Sequence, residues 1–400
     1  MVKAGSLLYA IYVCLLVGLL CGALLYIATM YNQLNIYYTL HDDLYIQNQS
    51  YSNYSLINGE GAEFTDEDGG IHSYSKIRPY GALSLLEVTS VLNTDSIVSL
   101  HLLGTADKDR TCIYVPRSGS GLAYSGTVTL SGEKKLPEEY IRPLYIDNKP
   151  NKLDAEGKVL LSGPELPELS DKIKKGRNAG AIKEVAIEQL SKNNSCYYNS
   201  FLNNTLRVNL KDPLLSGIEI RGNIILESAD SIVVSHSAQL QDVILVAPKI
   251  IFKDGFKGAV QAFASQKIVT EENVMLEFPS VLYIDNRGGS YSLIAVSANN
   301  KIYGAVLLAG NTIQEAEKHE VNIAKSCTIV GTLYCSGTLI LESNVTGNVY
   351  ANRLRHITAS SKYDNCIADI EINAIKMPVG YTGLPIFEQS KNYDIIKKVL

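Results

Sequence analysis

The chain has no tryptophan, only six histidines and little charge. Asp, Glu, Lys and Arg make up 19% of its 400 residues, below the roughly 25% of an average soluble protein. His41, His72, His101, His236, His319 and His356 form no HExxH pair, and no two of them stand at metal-ligand spacing. No GxSxG supplies a nucleophile elbow. The seven cysteines include no CxxC, which excludes a zinc ribbon or a redox pair of that kind. A net charge of −5, with no basic stripe, excludes the electrostatic footprint of a nucleic-acid binder. No motif implies a cofactor or a metal. What is present is apolar and strand-forming: 46% hydrophobic residues and 25 tyrosines, with many Ile, Val, Asn and Ser.

From Ala4 to Leu40 there is no charged residue and no histidine. Within this stretch the mainly apolar run Ser6–Met30 exceeds the roughly 20 residues that cross a bilayer core. It is also longer than the roughly 7–15 residues of a secretory signal core, and no A-x-A cleavage pattern follows it. The run predicts a transmembrane helix at 6–30, with membrane lipid as its partner. Lys3 precedes it, and Asp42 and Asp43 follow. The positive-inside rule then places the N-terminus in the cytoplasm and the C-terminal bulk on the periplasmic or cell-surface side. Gly18 and Gly22 form a GxxxG pair that lets two helices approach closely. Leu34, Tyr37, Tyr38 and Leu44 continue the apolar stripe. They predict a helical stalk over 31–55 that gives way to a polar connection near Asn48–Ser55.

Residues 1–5 form a short positive leader ending in Gly5, and Ser6 opens the apolar run. This pattern resembles the N-terminus of type IV pilins and pseudopilins, in which a peptidase cuts after the leader glycine. The resemblance implies processing between Gly5 and Ser6. It covers about 30 residues, a short motif. It departs from the family at Ala10, where a major pilin carries Glu; some minor pilins and tip pseudopilins also lack that Glu.

An acidic glycine-rich loop fills 56–70, where Asp66 and Asp68 lack EF-hand spacing. Short β-rich runs follow, among them Ser96–Leu103, Cys112–Val115 and Gly126–Leu130, separated by Gly, Pro and Asp. They predict a small β-rich domain at 56–165. The glycine-rich segment Arg117–Leu122 lacks both the Walker lysine and a GxGxxG pattern. Pro164 and Pro167 mark a boundary. Beyond them Ile182, Val185, Ala186, Gln189 and Leu190 share one helical face, which predicts a capping helix inside a linker at 166–195.

A step of 18 then links Leu214, Ile232, Ile250 and Ile268, and beside them Leu215, Val233, Ile251 and Val269. A fixed short period of this kind marks a solenoid. Eighteen residues make a coil of three short strands, stacked at roughly 4.8 Å on its neighbours. The pattern slips after Phe278, where 285–289 reads as a turn and 311–320 as a polar insertion. A rhythm of six returns through Leu333, Leu339, Val345, Ala351 and Ile357, with Gly331, Gly337 and Gly347 at places that suit tight corners. This rhythm resembles parallel β-helix proteins, including the bactofilin-like polymer-forming group. The expected fold is mainly β: an N-terminal transmembrane helix, a small β-rich middle domain, a C-terminal right-handed parallel β-helix (solenoid) at 196–378 and a tail at 379–400. An antiparallel sandwich is the competing topology.

Parallel β-helices also carry polysaccharide-cleaving enzymes, which gather acid–base groups on one face. Here the 18-residue step aligns Ser235, Lys253 and Glu271, and next to them His236, Asp254 and Glu272. The second column is the one set that suits acid–base chemistry, and a solvated corner explains it as well. Cys14 and Cys21 lie in the anchor, and an odd number of cysteines remains for any pairing on the far side. Asn48, Asn53, Asn193, Asn203 and Asn344 each begin an N-x-S/T triplet. Three roles fit these features. The first is a membrane-anchored scaffold or pilin-like assembly subunit whose partners are itself or other envelope subunits. The others are an envelope polysaccharide-active enzyme and an adhesin, each with a glycan as ligand. The absence of catalytic motifs favours the first.

Overall fold

The computed structural model describes residues 4–58, 63–65, 70–106, 109–117, 120–171, 173, 182–186, 196–288, 291–310, 318–378, 380–387 and 392–399. The structure is mainly β with one long N-terminal helix. The chain divides into two compact units. One gathers Met1–Ser55, Glu60–Lys76 and Glu87–Ser99; the other gathers Leu56–Gly59, Ile77–Leu86 and Leu100–Leu400.

Helix α1 runs unbroken over Ala4–Asn58, about 80 Å at roughly 1.5 Å per residue. The connection expected near Asn48–Ser55 is therefore helix. Leu44, Asn48, Tyr51, Ser52 and Ser55 recur at intervals of three or four, so they share one face, and all are buried. Polar residues continue this helix because their side chains have partners on a sheet, which a composition-based reading of loops misses. The sheet is five-stranded, in the order Glu63–Thr65, His72–Tyr80, Leu83–Leu92, Asp95–Thr105 and Tyr393–Lys398. Both outermost strands pair antiparallel. The last strand belongs to the segment expected as a tail.

The second unit is dominated by parallel strands. Gln239–Phe252 pairs with Lys257–Thr270, which pairs with Met275–Asp285 and Ser292–Val296. These meet Lys301–Ala309 and His319–Ile323, which meet Thr328–Leu341, and that strand meets Val345–Ile357. The aliphatic column predicted from the repeat is present: Ile232, Ile250, Ile268, Ile294, Val321, Leu339 and Leu354 are successive partners. Each is buried. Leu214 departs from the predicted step and faces Val233. After Ile268 the spacing widens because residues 286–291 and 310–318 intervene between successive paired strands. Residues 311–317 of the polar insertion lie outside the described residues.

Two expected boundaries are corrected. Thr111–Tyr114 and Glu371–Asn373 pair in parallel with Val345–Ile357. Thr127–Ser131 and Glu133–Leu136 continue from them, followed by Lys152–Glu156 and Val159–Leu161. Residues 111–161 thus extend the parallel stack past its C-terminal coil and do not form a separate middle sheet. A strand's sequence pattern reports its faces and not the edge it pairs with, so this order was not readable. Ile182–Ala186, expected inside a helix, is a strand parallel to Thr205–Asn209. β-Branched Ile182 and Val185 suit a strand as well as an apolar helix face. Residues 187–190 of the expected helix lie outside the described set, as do Asp66 and Asp68.

One outer face of the stack is apolar and covered. Phe263, Tyr283, Leu307, Tyr334 and Tyr350 pack with Tyr80, Leu83, Leu100, Leu102, Leu384 and Ile386. Gln261 fixes the turn of the covering hairpin: its Oε1 accepts from Ala82 N at 2.6 Å and its Nε2 donates to Tyr80 O at 3.2 Å. Tyr80 Oη in turn donates to Asp242 O at 2.6 Å.

Close stacking leaves no room for side chains at one corner. Gly304, Gly331 and Gly347 are consecutive partners with φ of 142°, 136° and 143°. A Cβ on Gly331 would lie 1.8 Å from Gly304 O. Gly331→Ala is expected to cost well over the roughly 1–3 kcal/mol of a strained φ alone, read as a fall in the urea midpoint of the detergent-solubilised protein. Gly217→Ala, at φ 61° with open space around it, should cost only about 1 kcal/mol.

Candidate membrane anchor and docking face

Every residue of α1 from Gly5 to Asp43 is exposed, and burial begins at Leu44. The exposed part includes Leu7, Leu8, Ile11, Leu15, Leu16, Leu19, Leu20, Leu24, Leu25 and Ile27. Each such side chain gains about 1.5–3 kcal/mol on leaving water, so a helix bearing this many requires an apolar surrounding. The helix satisfies its own backbone, as a lipid-crossing segment must. Its hydroxyls follow suit: Thr29 Oγ1 donates to Tyr26 O at 2.8 Å and Thr39 Oγ1 to Asn35 O at 3.0 Å. By length and composition α1 can cross a membrane. Gly5 and Ser6 lie in its first turns, exposed. Gly18 and Gly22 face open space, so another helix can approach them.

Beyond its exposed apolar part the same helix docks on the sheet through polar groups. Asn48 Nδ2 donates to Val88 O, Ser90 Oγ and Ile97 O at 3.2–3.3 Å, and Asn48 Oδ1 accepts from Ser99 Oγ at 2.7 Å. Ser55 Oγ lies 2.8 Å from Ser75 Oγ, and Ser73 Oγ lies 2.8 Å from Ser90 Oγ. Ser52 Oγ donates to Asn48 O at 2.8 Å. Sequence reasoning missed Asn48, Ser52 and Ser55 as docking residues. Their interval of three and four was the available signal, but polar identity masked it. Asn48 is wholly buried, which withdraws it as a glycosylation acceptor in the folded chain; Asn53, Asn203 and Asn344 are exposed.

His236, Asp254 and Glu272 do stack, at three successive tight turns, and all three are exposed. Their bonds are those of a solvated corner. Lys253 Nζ pairs with Glu271 Oε1 at 2.7 Å, Asn273 Nδ2 donates to Asp254 Oδ1 at 2.9 Å, and Gly255 N donates to Glu272 O at 3.1 Å. The Lys253 contact holds the Glu271 carboxyl below its usual range. All three side chains face solvent, and no hydrogen bond joins His236 to Asp254 among the described contacts.

His101, His319 and His356 sit in or against packed regions, whereas His41 and His72 are exposed. His101 is buried, and burial pulls its pKa down, with Lys398 adding to the effect. His319 is buried with Nδ1 2.7 Å from Ser292 Oγ. His356 is half-buried and stacks on Tyr363 at 6.4 Å. All seven cysteines are free. Burial pushes Cys112 and Cys366 up to about 11 and Cys335 to about 12, so these thiols are poor nucleophiles. Among the described residues no group of His, Cys, Asp or Glu is arranged to hold a metal ion.

Asn48→Ala strips buried partners on two strands and is expected to destabilise the protein by about 1–3 kcal/mol, whereas Asn53→Ala should stay within about 0.5 kcal/mol of wild type. Denaturant unfolding followed by far-UV circular dichroism separates the two. The double substitution His236→Ala, Asp254→Ala should also stay within about 0.5 kcal/mol, as an exposed corner predicts.

No protein family matches the chain, and no curated protein does. Among solved structures, the competence-associated pilin ComZ from Thermus thermophilus is similar at 11% identity over 85% of this chain and 86% of that one, with a TM-score of 0.22. A superposition that loose carries no argument about fold or role.

Proposed function

We propose that the chain is a single-pass, membrane-anchored envelope protein with a structural or assembly role, pilin-like in its first turns. Its stacked strands act as a parallel β-helix, a solenoid, on the extracytoplasmic side. The observation that carries this reading is the sharp change along α1: wholly exposed and uncharged from Gly5 to Leu40, then buried along one face from Leu44 onward. One continuous helix that is greasy in one part and docked in the next joins a membrane anchor to a folded body. Coil-to-coil parallel register over most of the second unit supports the solenoid. Lys3 ahead of the run and Asp42 and Asp43 behind it support a cytoplasmic N-terminus. Open space at Gly18 and Gly22 supports helix packing with a neighbouring subunit. The leader ending at Gly5 supports cleavage before Ser6.

The wild-type protein is expected to remain in the membrane pellet after alkaline carbonate washing. Leu16→Arg, which places a charge worth about 2.5–3.5 kcal/mol against insertion at the helix centre, should move a large share to the supernatant. Wild type in the supernatant would refute the anchor. Protease added outside spheroplasts should degrade the body of the chain, and its survival until lysis would refute the orientation. N-terminal sequencing of the mature protein should read from Ser6; an intact Met1 would leave a plain anchor without pilin-like processing.

A further inference from the structure

The parallel stack ends abruptly at residues 152–161. Lys152–Glu156 pairs with Thr127–Ser131 and Val159–Leu161 with Glu133–Leu136. No register joins either to a strand on its other side among the described residues. The register shows which side chains of this last coil face the interior. Leu153 and Ala155 lie over Val128 and Leu130, and Leu161 lies over Leu136. Val128, Leu130 and Leu136 are wholly buried, yet Ala155 and Leu161 above them are exposed and Leu153 is half-exposed. Leu160 and Leu161 are 42% and 51% exposed. The coil therefore presents a cross-section of the core together with an unpaired strand edge. Such an edge recruits another strand unless it is blocked.

The backbone and the charges of 152–156 point to the occupant. Lys152 N donates to Gly126 O and Glu156 O accepts from Gly132 N, both toward the stack. Lys134, buried beneath, also donates from Nζ to Glu156 O at 2.6 Å. By strand alternation Leu153 and Ala155 direct their N–H and C=O groups to the open edge. A second copy turned about a two-fold axis at Asp154 sets Leu153 opposite Ala155 of its mate, where those free groups exchange hydrogen bonds. The same register sets Lys152 opposite Glu156 of the mate, twice, in the closer non-hydrogen-bonded pairs on the outer face. The two Asp154 side chains meet at the axis, exposed to water and flanked by those ion pairs. A two-fold interface requires that each residue find its complement on the same patch, and Lys-Leu-Asp-Ala-Glu meets that requirement.

We infer that the end coil 152–161 is a dimerisation surface, on which a second copy of this chain adds its own Lys152–Glu156 strand antiparallel to the first. This deepens the assembly reading and rests on it for its biological meaning, while its geometry depends only on the stack.

The test uses the full chain in detergent, with Cys14, Cys21 and Cys196 replaced by Ser, the exposed cysteines that would otherwise cross-link. Asp154→Cys in this background should form a disulfide-linked dimer under mild oxidation, because non-hydrogen-bonded antiparallel partners lie within disulfide reach. Lys158→Cys should not. In sedimentation without cross-linking, Lys152→Glu and Glu156→Lys should each weaken dimerisation ten-fold or more, and the combined charge swap should restore it. Circular dichroism should be unchanged throughout, since both side chains are exposed. Absence of the cross-link in the Asp154→Cys variant, single swaps without effect, or no rescue by the double swap would each overturn the proposal. Association through α1 would survive the swaps and respond to Gly18→Leu instead. If the chain washes off membranes with carbonate while the Asp154→Cys variant still forms its linked dimer, the anchor reading fails and this one stands.

Discussion

Peptide N–H and C=O groups held away from water must be paired within the protein, and the architecture follows from the ways this chain meets that demand. In α1 the pairing is local, which is the condition for passing through lipid. In the second unit it is between coils. A strand such as Lys257–Thr270 gives one edge to Gln239–Phe252 and the other to Met275–Asp285 and Ser292–Val296. Stacking at strand spacing then decides where glycine is needed. At Gly304, Gly331 and Gly347 the carbonyl of one coil occupies the space of a Cβ on the next. Among the described residues, 152–161 are where this pairing stops on one side.

In-register stacking places like on like. Inside, Ile232, Ile250 and Ile268 lie in file and exclude water. At the corner, His236, Asp254 and Glu272 lie in file because solvent suits all three. The same geometric rule thus produces a core and what looks, in one dimension, like a catalytic set. Burial separates the two cases.

The docking of α1 uses another route to a dry interface. Asn48, Ser52 and Ser55 bring short polar side chains against Ser75, Ser90 and Ser99, with Leu44 and Tyr51 beside them. A buried amide with all its groups engaged fixes one register of helix on sheet, where a smooth apolar face would tolerate sliding. Polar residues thus serve as the locating pins of the first unit, while aliphatic columns fill the second.

The exposed apolar part of α1 was legible in the sequence because a missing charge over Ala4–Leu40 is a statement about solvent and needs no partner to be read. The 18-residue file was legible from Ile232 to Ile268 because a regular coil repeats its faces at a fixed step. Leu214, the wider coils beyond Ile268, the strand at Ile182–Ala186 and the helical course of Asn48–Ser55 were not. In each case the deciding contact is with a residue far along the chain. The strongest instance is 111–161, whose strands look like an independent sheet in sequence yet stack beyond Val345–Ile357. The amino-acid sequence by itself determined which segment is apolar throughout and which side chains alternate between core and water, since both depend on hydrophobicity and local period. Tertiary structure decided which edges meet, which polar groups are buried and which strands have no further partner among the described residues, since hydrogen bonds between strands carry no mark in the residues they join.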